Sequence, residues 1–254
     1  MLAASDPAGA AGLYQRAAAR LEVQGALDGA GFALAEAAQL AAVEQDVEGA
    51  LAAFPRAVAL LRAGGVTPAY RGPVVRAYAR LSARAGAAGA GLTAVDKVLA
   101  EIGTPSTGGA VGSATGGAVV STLTGDAASE GTVPAQEDGT AHERLELLDT
   151  RARLLATLGE HDRASAAAEA VAEEYARSGD LRGAAHAFWL AGSARAAAGD
   201  LESAVPALES AVDGFRLAHD QDDRARVGNE LVGVLRRLGR DDEAGQVAES
   251  VSRR

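Results

Sequence analysis

At 254 residues the chain has room for one or two ordinary domains, or for a single extended array. It has no cysteine, which excludes disulfides, thiolate chemistry and Cys-based zinc sites, and a net charge of −10, which argues against a nucleic-acid partner. Lys97 is the only lysine among 24 basic residues, a skew that reads as the codon usage of a GC-rich bacterial genome.

Residues 6–18 open the chain as a helix. Asp6 and Pro7 are placed as an N-cap followed by proline at the first helical position. Ala10, Tyr14 and Ala17 fall on one face and keep the register of the second helix of a pair, with no first helix ahead of them. This helix is therefore expected to present an uncapped face, open to self-association or to a missing upstream domain of a longer chain. Nothing at the N-terminus has the basic stretch and apolar run of a signal peptide, and no segment is long and apolar enough to span a membrane, so the expected location is cytoplasmic.

A turn signal then recurs: Gln45-Asp46, Gly86-Ala87, Gly159-Glu160, Gly199-Asp200 and Gly239-Arg240. The spacing is 40 or 41 residues, except across an insertion between 86 and 159. A fixed period of this size marks an array of helix pairs, each too small to bury its own apolar face. Other positions keep step with it. Five residues after each turn position comes a small residue: Ala50, Gly91, Ala164, Ala204, Ala244. Offsets of four and then three follow: Phe54, Val95, Ala168, Leu208, Ala248, and Ala57, Val98, Val171, Ala211, Val251. These share a helical face. Seven residues before the turn, Ala38, Ala79, Ala152 and Gly192 are small, with Val232 the exception. Small residues allow two helices to approach closely, and larger ones fill the groove. Asp46, Asp162, Asp180, Asp200 and Asp241 are placed as N-caps, and Pro55 and Pro206, inside second helices, predict kinks.

Thr67 and Pro68 start a helix near 70–85 that carries Arg71, Arg76, Arg80 and Arg84, with no acid from Ala69 to Val95. Arg76, Arg80 and Arg84 make one stripe. Like charges at this spacing repel, so the stripe either clamps an anionic peptide or carboxylate, or pairs with Glu36 or Glu44 of the preceding first helix, or is simply a solvated face. Residues 103–140 contain four acids, no base and repeated Gly, Ser and Thr; this is linker composition, expected to be disordered. The chain thus divides into a helical array over 1–102, a linker over 103–140 and a second array over 141–254, with net charges of 0, −4 and −6.

The register of Phe188, Ala191-Gly192, Gly199-Asp200, Ala204, Leu208 and Ala211 resembles the tetratricopeptide repeat family, in a variant with a longer period than usual. The resemblance covers nearly everything outside 103–140. It departs from the family in lacking the usual Tyr of the first helix and the usual Pro ending the second. It implies an all-α fold: about eleven helices in antiparallel pairs, wound into a right-handed superhelix. It also implies that first helices line a concave groove holding a segment of another protein. By that register Phe188 enters the core, while Trp189, the only Trp, and Arg226, Asn229, Arg236 and Arg237 face the groove beside the Arg76–Arg84 stripe; Trp189 is then an interface anchor, or else tucks between helices and fills space left by small neighbours.

No catalytic constellation emerges. There is no G-x-x-x-x-G-K-[ST] loop, no G-x-S-x-G elbow, and no strand ahead of the glycines at 86–91. The four His residues are scattered without an H-x-x-x-H pair, so neither a metal nor a cofactor is expected. The reading is a non-catalytic protein-interaction module. The alternative is the sensor or scaffold portion, as a fragment, of a larger bacterial signalling or transcription regulator.

Overall fold

The structure, a computed structural model, describes residues 7–103 and 135–252. Among them are eleven helices and no strand: α1 (Pro7–Val23), α2 (Leu27–Val43), α3 (Val47–Ala63), α4 (Pro68–Arg84), α5 (Ala88–Gly103), α6 (Ala135–Thr157), α7 (His161–Ser178), α8 (Leu181–Ala198), α9 (Leu201–Leu217), α10 (Gln221–Arg237) and α11 (Asp241–Ser252). Each packs on the helix before and the helix after it, as in a solenoid. In addition α2 meets α4, α4 meets α6, and α6 meets α8. The even-numbered helices therefore form one layer, whose members touch, and the odd-numbered helices form the other.

The turns explain this regularity. Residues 25, 45, 65, 86, 159, 179, 199, 219 and 239 all have positive φ. At Gly25, for example, the backbone N–H donates to the Glu22 carbonyl at 3.1 Å, and the next N–H, of Ala26, donates to Leu21 at 2.9 Å. This paired arrangement closes a helix by a left-handed residue. It recurs at all nine positions. The structural period is thus one helix and one turn, 20 or 21 residues, half the spacing read from the sequence. Seven of the nine positions are Gly; Gln45 and His219 take the left-handed conformation at a steric cost glycine avoids.

Capping agrees in part with expectation. The carboxylates of Asp46, Asp180 and Asp200 accept from the backbone N–H three residues on, and so does that of Asp220, which the sequence reading missed. Hydrogen bonds from Ser203 hold the Asp200 carboxyl below the usual Asp range. Asp162 and Asp241 are not caps. They lie inside the first turns of α7 and α11, where their charge complements the helix dipole. Asp6 lies outside the described residues; Pro7 does begin α1. Thr67 occupies the cap position of α4 without accepting a hydrogen bond. The helices run on past Pro55, Pro206 and also Pro73.

The register places the core. Ala50, Gly91, Ala164, Ala204 and Ala244 are all buried, as are Ala38, Ala79, Ala152, Gly192 and Val232. A Cβ added at Gly91 would lie 3.0 Å from the Ala79 Cα, and one at Gly192 would lie 2.6 Å from Leu208. Close approach is why small residues recur there. In α1 the buried residues are Ala10, Ala11 and Ala18; Tyr14 and Ala17 are exposed together with Leu13.

The expected linker narrows at both ends. Gly103 closes α5, and residues 135–140 belong to α6; residues 104–134 lie outside the described residues. On the far side of that segment α6 packs against both α4 and α5. Val75, Ala79, Val95 and Val98 share one apolar cluster with Leu147 and Leu154. So α6 stands where the next even-numbered helix of an uninterrupted array would stand.

Candidate functional site: the face of the even-numbered helices

Even-numbered helices carry polar contacts that cross from α4 to α6 and from α8 to α10. The first of these begin on α4. The Arg76 guanidinium donates from Nε and Nη2 to both oxygens of Glu143, at 2.8 and 3.0 Å, and from Nη1 to Glu146 at 2.7 Å. The Arg76 side chain is 17% exposed and that of Glu143 only 9%. Burial pushes the Glu143 carboxyl up from its usual value even though Arg76 pulls the other way. Glu146 also accepts from the Tyr175 hydroxyl at 2.9 Å, and burial followed by that hydrogen bond drives the phenol well above its ordinary pKa.

This corrects the expected pairing of the arginine stripe. The partners of Arg76 are Glu143 and Glu146 of the following even-numbered helix, not Glu36 or Glu44 of the preceding one. The stripe is also not uniform. Arg80 is exposed and forms no ion pair, and partial burial and the charges of Arg76 and Arg84 lower its pKa. Arg84 donates only to the Arg80 carbonyl. Arg71, on another face of α4, is buried and binds Glu101 of α5.

Further along α6, Arg153 and Asp149 form a two-pronged pair at 2.7 and 3.1 Å. On α8, His186 stacks on Trp189 with ring centroids 6.4 Å apart, and both meet Phe215 edge-on. Burial there lowers the His186 pKa despite Asp223, whose carboxylate lies 3.5 Å from Nε2. Glu230 of α10 accepts from the Trp189 indole N–H and from the Ser193 hydroxyl, each at 2.6 Å. Trp189 is therefore half-buried with its polar tip engaged inside the protein, rather than a free anchor. Phe188, expected in the core, is also half-buried, between two apolar clusters. Arg226 is exposed and pairs with Asp223 at 3.0 Å, and Asn229 is exposed. Arg236 and Arg237 are exposed at the end of α10.

The six residues singled out from sequence thus all lie on even-numbered helices but form two groups. Arg76 and Trp189 are tied into contacts within the protein. Arg80, Arg84, Arg226 and Asn229 reach outward. Sequence reasoning missed Glu143, Glu146, Ser193 and Glu230. A signal existed: Ser193 and Glu230 are 37 residues apart, close to one period. Chemically the face offers charged and amide groups for a polar chain. Among the described residues no three His, Asp or Glu side chains cluster as metal ligands, and no helix is long and apolar enough to cross a membrane.

No protein-family model matches the chain, and no curated protein matches it. Solved structures do. BtubC (BKLC) from P. vanneervenii aligns with a TM-score of 0.67 at 14% identity, covering 98% of this chain and 88% of that one. A putative kinesin light chain from Podosopora anserina, with nearly identical TPR-like repeats, aligns at 0.60 and 17% identity, covering 92% and 94%. A Rap protein complexed with competence and sporulation factor aligns at 0.55 and 11%, covering 87% of this chain and 52% of that one. At such identities the shared property is the fold, and the fold of this chain is that of the tetratricopeptide-like helical-repeat solenoid.

Proposed function

We propose that the chain is a non-catalytic protein-interaction module, and that the face of its even-numbered helices holds an acidic segment of another protein. The observation that carries this reading is the pair Arg80 and Arg84. They project from α4 beside an internally neutralised Arg76, and neither has a carboxylate partner. An incoming carboxylate relieves their mutual repulsion and meets planar guanidinium donors. Arg226 and Asn229 extend the same surface three helix pairs away, on α10, while Arg76 and Trp189 position it from beneath. The packing of α6 on α4 and α5 supports treating 1–102 and 141–254 as one continuous surface. The kinesin light chain repeats and the Rap protein complexed with competence and sporulation factor share the fold, which supports a protein or peptide partner over a nucleic acid. A cytoplasmic setting belongs to the same reading.

A second reading is a sensor portion of a larger bacterial regulator. Its support is the Rap likeness, in which the matched part spans about half of the other chain.

The test is quantitative capture by the purified chain and by an Arg80→Glu/Arg84→Glu variant of equal helicity. An acidic partner held by the native chain should bind the variant at least about tenfold more weakly, since charge-assisted contacts of this kind carry that much. Binding should also weaken with salt. Equal capture by both proteins would remove this face as the binding surface.

A further inference from the structure

On the opposite layer, α3 and α5 stand apart and leave a cleft of about 590 Å³ floored by α4. The separation follows from sequence: the facing residues include Ala59, Ala63, Ala90 and Ala94, too small to close the gap. Pro55, Val58, Val98 and the ring of Tyr78 give it apolar walls. Its volume is that of small-molecule sites.

The charged groups in this cleft are unusual for the protein. Arg62, Arg71 and Lys97 line it with a single acid, Glu101, in a chain whose net charge is −10. Arg71 is 3% exposed. Its Nη2 binds Glu101, and Arg62 reaches the same carboxylate at 3.5 Å. Two guanidiniums thus share one carboxylate. The Nε–H of Arg71 is buried with no acceptor, a state that an arriving acceptor would relieve. Lys97 stands exposed one turn before Glu101 on α5 and makes no ion pair.

We infer that this cleft binds a small organic anion, a single carboxylate on an apolar body of about a dozen heavy atoms. The carboxylate lies among Lys97, Arg62 and the free Nε–H of Arg71, and the body lies along Val58, Ala94 and Val98. Glu101 already occupies part of the positive field, so a singly charged group fits better than a dianion. The site is independent of the partner surface proposed above, being on the other layer and made of other residues.

The experiment is calorimetric titration of the full chain with monomeric decanoate, with decanol and decyltrimethylammonium in parallel. Decanoate is expected to bind saturably at one site, at least about tenfold more tightly than decanol, with no binding of the cation. Lys97→Glu, at an exposed position, should weaken it at least about tenfold, and Ala94→Phe should abolish it by filling the cleft. Circular dichroism checks that both variants keep native helicity. No saturable binding would overturn the inference. So would equal binding of decanol, which would mark a merely greasy surface, or binding that both variants leave unchanged, which would place it elsewhere. A short apolar peptide with a free C-terminus that binds where decanoate does not would also overturn it, in favour of a chain end.

Discussion

Replacing Arg76 with Ala is expected to lower the free energy of unfolding by about 3 kcal/mol. The reason is what it leaves behind. Glu143 is nearly buried, and Arg76 supplies two of its hydrogen bonds. Without the guanidinium, a carboxylate stays in a site that already disfavours its charge. The sign with pH follows. Glu143 has a raised pKa in the folded protein, so burying its charged form costs stability above the usual carboxylate range. Removing Arg76 raises that pKa further. The deficit of the variant is therefore full at neutral and higher pH, and shrinks as pH falls through the new folded value and Glu143 takes up a proton. Urea titrations followed by circular dichroism at several pH values measure this. The triple change Arg76→Met, Glu143→Gln, Glu146→Gln should recover at least half of the loss, because no charge is then stranded. A deficit below about 1 kcal/mol, or one that grows in acid, would show that the network is only a wet surface contact.

The second large effect is expected at Phe215. It is fully buried on α9 and meets the rings of His186 and Trp189 edge-on. Phe215→Ala should cost about 3–5 kcal/mol. Phe215→Leu should cost about 1.5 kcal/mol or less, since it preserves most of the volume. Trp189 is the only Trp, so its fluorescence reports on this cluster alone. Its emission should shift to the red in the Ala variant as water reaches the indole. An unshifted spectrum together with a small loss of stability would mean that the aromatic group does not hold α8, α9 and α10 together.

Much of the fold was legible because it repeats. The small residues around each turn are constrained by backbone contact, as at Gly91 against Ala79, and constraint of that kind leaves a periodic trace. The half-period escaped notice for a physical reason. Turns into and out of each pair use the same left-handed residue, but Gln45 and His219 stand where Gly usually does, so the glycine signal is broken in both series. The face of the even-numbered helices was less legible. Arg76 and Glu146 are 70 residues apart, and nothing local links them. Yet 73 residues separate Gly86 from Gly159 where 40 would continue the array, an excess of 33. Subtracting it leaves 37, the separation between Ser193 and Glu230. The α4–α6 and α8–α10 contacts therefore share one spacing across the insertion, but only the packing of α6 on α4 shows that α6 takes the place of the next even-numbered helix. Trp189 was placed by register alone, which fixes direction but not partners; Glu230 decides that its N–H faces inward.

The identical turns have a mechanical meaning. Among the described residues each helix is held mainly by its neighbours in the chain, and every junction except that between α5 and α6 is the same short, left-handed hinge. Pulled from its ends, such a chain has no single clasp whose failure releases the whole. It should yield as a ratchet, one helix or one pair at a time. Each 20-residue tooth would release a contour of about 70 Å, set by the extended length of the polypeptide. The molecule is built like a spring of equal coils, and its compliance is a property of one coil multiplied by their number.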